Sequence, residues 1–197
     1  MNKCSRIVRA DTSGVLSTTW LGGLPAAGLL AVCLAGCLEM LSIDYRPANP
    51  FKGQGRVQVA EFEYAPAQRQ RLRPRQVETD PKSPGGLLLS EPIGAFFAEA
   101  VRRELAHSGY QVGDEPERVL GGVIERFYLD WGRTDEQTME IRVASVLRSR
   151  GTTVFSHTCR SVSRRTRAPL NDAVLITEAV KACIHQLLGA AQAAHVL

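Results

Sequence analysis

Five cysteines, four histidines and two arginine-rich stretches are the residues of this 197-residue chain whose chemistry could be put to use. His157 and Cys159 stand two apart, which on a strand places both on one face, the spacing of a metal-ligand or nucleophile pair. No third or fourth ligand accompanies them, so the pair reads as structural and no metal site is expected. The remaining histidines, His107, His185 and His195, fall in separate elements. The sequence holds no G-x-S-x-G, no H-E-x-x-H and no glycine-rich phosphate loop. The "GQG" of Gly53–Gly55 precedes a strand rather than a helix and is not a nucleotide fingerprint. The expectation is a protein that is not an enzyme and carries no cofactor.

Two further groups bear on function. Cys159 and Cys183 fall on the last expected strand and the last expected helix, which should pack together. They either form a disulfide or stand as two small buried thiols. Arg69, Arg71, Arg73 and Arg75 crowd one loop, and Arg160, Arg164, Arg165 and Arg167 a second stretch. Arg71, Arg73, Arg75, Arg164 and Arg165 are the candidate binding residues, for lipid phosphates or an acidic partner. The alternative is that both stretches are ordinary solvated surface.

The cysteine at position 37 is a different case. It closes an apolar run, Trp20–Cys37, whose uninterrupted part, Ala26–Cys37, has signal-peptide rather than membrane-spanning length. Lys3, Arg6 and Arg9 supply the positive flank. Leu34-Ala35-Gly36-Cys37 resembles the bacterial lipobox. That resemblance implies a diacylglycerol on the Cys37 thiol, removal of residues 1–36 and acylation of the new amino terminus. Two or more acyl chains give stable anchoring, one only marginal binding. Leu38, not Asp, follows the cysteine, which by the same resemblance implies the outer membrane, facing the periplasm. Asp11 lies inside a long amino-terminal region, and Val15 is an alternative start that would remove most of the positive flank.

Removal of residues 1–36 leaves 161, enough for one domain with its own core. The net charge is +4, of which Lys3, Arg6, Arg9 and Asp11 supply +2, so the rest carries too little to imply nucleic acid. Cys4 and Cys33 leave with the leader, and no second segment is expected to reach spanning length.

Residues 37–55 contain Pro47, Pro50 and Gly53 with no sustained period and read as a lipidated amino terminus and tether; residues 56–197 read as the periplasmic domain. "RVQVAEFEY" (Arg56–Tyr64) reads as a strand, 65–86 as a long loop, and Gly86–Leu89 as a short extended piece. A helix is expected from Ser90, its cap, to Gly109, with Ile93, Phe96, Phe97, Val101 and Leu105 on one face. Val119–Trp131 alternates, with Val119, Val123, Phe127, Leu129 and Trp131 on one face and Glu125 as the exception. Met139, Ile141, Val143 and Leu147 share a face of the next strand, and "SRGT" turns it into a third spanning Thr153–Ser163. Asn171 caps a second helix, with Leu170 stapled onto Leu175 and a stripe of Ala173, Ile176, Val180, Ile184, Leu187 and Leu188. The fold class is α+β: a two-layer sandwich with an about four-stranded, mostly antiparallel sheet and two helices on one face.

"FFAEAVRRELAHSGYQV" (Phe96–Val112), a helix ending in a Gly-Tyr turn and followed by the long strand "VLGGVIERFYLDW", resembles the YajG-type lipoproteins. More distantly it is similar to the LPS-assembly lipoprotein LptE and the auxiliary lipoproteins of ABC transport systems. The resemblance covers roughly residues 56–188, transfers no catalytic residue and implies an accessory role in the cell envelope. The expected function is a non-enzymatic accessory or adaptor lipoprotein, held to the membrane by Cys37 and binding another envelope protein. The alternative is a carrier or sensor of lipid or glycan, which an open cavity lined by Phe96, Phe97 and Phe127 would favour.

Overall fold

The computed structural model describes residues 38–48, 50–81, 86–113, 118–132, 136–166 and 171–197, all within the compact unit Ala35–Leu197. The leader 1–36, Cys37, Arg167 and Leu170 lie outside the described residues.

The chain is α+β, built around a long antiparallel meander. β7 (Arg118–Asp130), β8 (Glu136–Ser149) and β9 (Thr152–Thr166) pair in sequence order. Arg150 and Gly151 both take positive φ between β8 and β9, which a two-residue hairpin turn twisting with its strands requires. Four short strands lie on the other side of β7 or beyond it. β2 (Arg56–Val59), β3 (Glu63–Tyr64) and β4 (Glu78–Thr79) dock in succession along β7, all parallel to it, and β6 (Gln111–Val112) adds in parallel to β2. The result is a seven-stranded mixed sheet, β6-β2-β7-β8-β9 with β3 and β4 also on β7. A separate parallel pair joins β1 (Leu38–Leu41) to β5 (Gly86–Leu89).

This corrects the expected sheet of about four mostly antiparallel strands. The expected strand 56–64 breaks into β2 and β3, and the expected loop 65–86 contributes β4 and the one-turn helix α1 (Ala65–Gln68). Two-residue strands are too short to show a period, so only the partner strand reveals them.

Two helices cover one face of the sheet. α2 (Ile93–His107) buries Ile93, Phe96, Phe97, Val101 and Leu105, the stripe its spacing announced. It begins after Pro92 with no side-chain cap, not at Ser90, because the Ile93 N–H is taken by the carbonyl of Pro74 (2.9 Å). A Cβ on Gly94 would stand 1.9 Å from the Phe62 carbonyl oxygen, so glycine there lets the helix start lie against the backbone after β2. α3 (Asp172–Ala193) follows Asn171 and buries Leu175, Ile176, Ala179, Val180, Cys183, Ile184, Leu187 and Leu188. By length and composition α3 could cross a membrane, contrary to the expectation for the chain after residue 37. Its apolar stripe is instead part of the core under β8 and β9.

The meander also corrects a facing assignment. On β7 the fully buried residues are Leu120, Ile124, Phe127 and Leu129, whereas Val119 and Val123 lie on the other side, opposite Arg148 and Ala144. The register shifts between Ile124 and Arg126, so Glu125 is the extra residue of a bulge. One inserted residue reverses which side chains point inward, and a uniform alternation cannot hold on both sides of it.

The segment expected to be a tether is packed on the domain. Leu38–Leu41 form β1, Tyr45 is buried, and Phe51 packs against the core.

Candidate functional site

Among the described residues no helix covers the second face of the meander. On β8 the odd positions from Gln137 to Leu147 are buried against the helices, so Glu136, Thr138, Glu140, Arg142, Ala144 and Val146 face away. Pairing aligns Arg126, Arg142 and Arg160 in one cross-strand row, and Tyr128, Glu140 and Val162 in the next. Like charges placed opposite one another across strands repel. Here they share one carboxylate. Glu140 meets Arg126 Nε at 2.9 Å, Arg160 at 3.1 Å and Arg142 at 3.8 Å. The Arg126 guanidinium also lies over the Tyr128 ring, 4.5 Å from its centroid. Burial, with Asp130 next in weight, raises the Tyr128 phenol pKa above its ordinary value. Arg164 lies on the same face two rows away, opposite Thr138, and meets Glu136 at 3.8 Å. Val154 and Val162 are among the exposed large apolar side chains. The face therefore offers several guanidiniums, fixed in spacing by strand register, interleaved with apolar side chains. Such an array can bind a carboxylate- or phosphate-bearing surface.

The structure separates the expected binding residues. Arg71, Arg73 and Arg75, with Arg69, are exposed on the loop between α1 and β4. Arg164 lies on the open face, while Arg165, one residue on, points to the helix side and pairs with Glu178 of α3. Sequence clustering does not reveal Arg126 and Arg142, because they are spread over two strands that only register brings together.

Cys159 of β9 and Cys183 of α3 are buried with their Cα atoms 5.3 Å apart and their sulfurs in disulfide contact. His157 stacks beside Phe155, centroids 6.1 Å apart. Among the described residues no group of three or more His, Cys, Asp or Glu side chains is placed to hold a metal ion.

A buried polar cluster has no counterpart in the sequence reading. Glu104 of α2 is fully buried and accepts a hydrogen bond from Tyr45 Oη at 2.6 Å and from the Ala48 N–H at 3.2 Å. His185 Nε2 of α3 lies 3.8 Å away. Burial, reinforced by the hydrogen bond to Glu104, pushes the Tyr45 phenol pKa well above its ordinary value. Arg103 donates to the Tyr45 carbonyl at 2.8 Å, so α2 grips the amino-terminal segment at three points. A glutamate inside an apolar helix face was the available signal, since a buried carboxylate needs partners.

Two clefts accompany these features. One of about 460 Å³ lies at the start of α2, lined by Phe62, Tyr64, Pro74, Pro92 and the rim residues Glu61 and Glu63. The other, about 340 Å³, lies between the amino-terminal segment and α3. Neither is lined by Phe96, Phe97 or Phe127, which are buried in the core.

Comparison with known proteins bears on the fold. No family model matches the chain, and no curated protein matches it by sequence. Among solved structures it is similar to protein XCC0632 from Xanthomonas campestris, described under the family model DUF330. The TM-score is 0.61 at 14% identity, covering 81% of this chain and 96% of that one. An uncharacterized protein gives a TM-score of 0.50 at 10% identity over 79% of this chain and 99% of its own. A minor lipoprotein from Acinetobacter baumannii is more distant, with a TM-score of 0.44 at 13% identity over 71% and 92% of the two chains. The first two likenesses show that the two-layer architecture occurs in solved proteins; they transfer no residue and no activity.

Proposed function

We propose that this chain is a lipid-anchored, non-enzymatic accessory protein of the bacterial cell envelope that binds an acidic surface of another envelope protein through its open sheet face. The YajG-type assignment, the outer-membrane location and the periplasmic orientation belong to the same proposal. The lipobox at Leu34–Cys37 supports the anchor. The observation that carries the binding role is the row Arg126, Arg142 and Arg160 gathered on the single carboxylate of Glu140, on a face that no helix of the described residues covers. Three aligned cations exceed the charge of one glutamate, and the excess is complementary to an acidic partner. The carrier reading has less support, because Phe96, Phe97 and Phe127 fill the core rather than line a cavity.

The test combines anchor and surface. Cys37→Ala should leave the precursor unprocessed, read by mass spectrometry of the amino terminus; a chain cleaved elsewhere with Cys37 unmodified sinks the lipoprotein reading. The intact lipoprotein is then purified from membranes and its co-purifying proteins identified. Arg142→Gln with Arg160→Gln should release them without shifting the melting temperature by more than an ordinary surface change does. Retention of every partner by that variant refutes the open face as the binding surface.

A further inference from the structure

The strand that follows the proposed anchor and one of the arginine clusters lie closer together than the sequence suggests. β1 begins at Leu38, the residue bonded to Cys37 in the sequence. A lipid on Cys37 therefore holds β1 itself at the membrane surface. Met40 of β1 is a large apolar side chain 65% exposed. β1 pairs with β5, Leu41 opposite Leu89. On the other side of β5 runs the arginine loop: the Leu89 N–H donates to the Arg75 carbonyl at 2.8 Å, and Gln76 bridges Leu88. The Arg75–Gln76 end of the loop is thus two strand spacings, roughly 10 Å, from the Leu41 end of β1.

The loop is built to present its charges. The Arg71 and Leu72 N–H groups both reach back to the Pro66 carbonyl, the Arg73 N–H donates to Gln76 Oε1, and Leu72 packs inward on the core. Arg69, Arg71, Arg73 and Arg75 are all exposed. Among the described residues none of the four makes an ion pair, whereas Arg46, Arg102, Arg103, Arg126, Arg142, Arg160, Arg164 and Arg165 all do. Glu39 is the only carboxylate on β1.

We propose that the Arg69–Arg75 loop docks on anionic lipid headgroups of the membrane that holds the Cys37 lipids, with β1 and Met40 at the interface. The proposal rests on the anchored reading above. Acyl chains fix the protein to the bilayer, and a basic patch beside them fixes its orientation through attraction of each cation to the anionic surface. The sheet face carrying Arg142 and Arg160 is a separate surface, left for the protein partner.

The loop supplies its own assay, since trypsin cuts after Arg69, Arg71 and Arg75. The full-length lipidated protein is reconstituted into vesicles of phosphatidylcholine alone or with phosphatidylglycerol. Cleavage in the loop should be several-fold slower on the anionic vesicles, and added salt should abolish the difference. Cleavage after Arg150, at the far end of the β8–β9 hairpin, serves as the internal control and should not be slowed. Arg71→Gln with Arg73→Gln should lose the protection, scored after Arg75. Equal loop cleavage on both vesicles overturns the proposal, as does equal protection by free inorganic phosphate on phosphatidylcholine vesicles, which indicates a soluble-anion site. The mass of the amino-terminal peptide is read in the same samples. An unmodified Cys37 refutes the anchored reading, whereas a lipidated Cys37 with an unprotected loop refutes only the docking.

Discussion

Removing Tyr45 should unseat the amino-terminal segment and cost the domain a large part of its stability. The side chain is 3% exposed in the core, and its hydroxyl meets a fully buried carboxylate at 2.6 Å. Truncating a buried aromatic to alanine costs about 3–5 kcal/mol. A hydrogen bond to a charged group adds about 1.5–3 kcal/mol, and Glu104 loses a partner it cannot replace with water. Tyr45→Ala should therefore destabilise by about 5 kcal/mol, a third or more of the stability typical of a domain. Tyr45→Phe isolates the hydroxyl and should cost about 2 kcal/mol. The assay is urea unfolding followed by circular dichroism, on the chain from residue 38 and on one from residue 51. At a slope of about 2 kcal/mol per molar urea, Tyr45→Ala should lower the midpoint by roughly 2.5 M. The chain from residue 51 should fall at least as far. Equal midpoints for the two fragments would refute the reasoning and restore residues 38–50 to the status of a tether.

Phe97→Ala and Ile184→Ala, both at fully buried positions, should each cost about 2–5 kcal/mol by thermal melting, while Arg71→Ala should change stability by less than about 0.5 kcal/mol. Cys159 and Cys183 are 24 residues apart, so closing that loop as a disulfide should add about 3.5 kcal/mol on the chain-entropy account. Melting with and without reductant tests this, and an unchanged midpoint together with two thiols that label after unfolding would show that the pair is reduced. Burial raises the phenol pKa of Tyr45 and of Tyr64, with the Glu104 hydrogen bond and the Glu78 charge respectively adding to it. The neutral phenols then stabilise the fold fully below their ordinary pKa near 10, and that stability is lost as pH climbs above it. Tyr45→Phe combined with Tyr64→Phe should flatten the alkaline fall in midpoint between pH 9 and pH 12, on the order of those limits; an equally steep fall in the variant contradicts the assignment.

Helical periodicity made α2 and α3 legible in the sequence, because each repeats its apolar positions over more than three turns, and every expected stripe residue is buried except Ala173, which is half-buried at the start of α3. The face of β8 and the β8–β9 turn were legible for the same reason: period-two alternation is local, and "SRGT" supplies a residue pair that tolerates positive φ. What only the tertiary structure decided lies where the determining contact is distant in sequence. Four residues at 38–41 become a strand because β5 is there to pair with, and Glu104 becomes a clasp because Tyr45, 59 residues away, folds over it. Glu125 appears in the sequence as one polar exception, and the structure shows it to be the bulge that reverses the facing of β7 before it. The arginines follow the same division. Their number and their clustering at 69–75 are composition, visible without a fold. That Arg126, Arg142 and Arg160 form one row, and that Arg164 and Arg165 point to opposite sides of the sheet, is set by strand register and by pleat, which a linear sequence does not contain until the strands have paired.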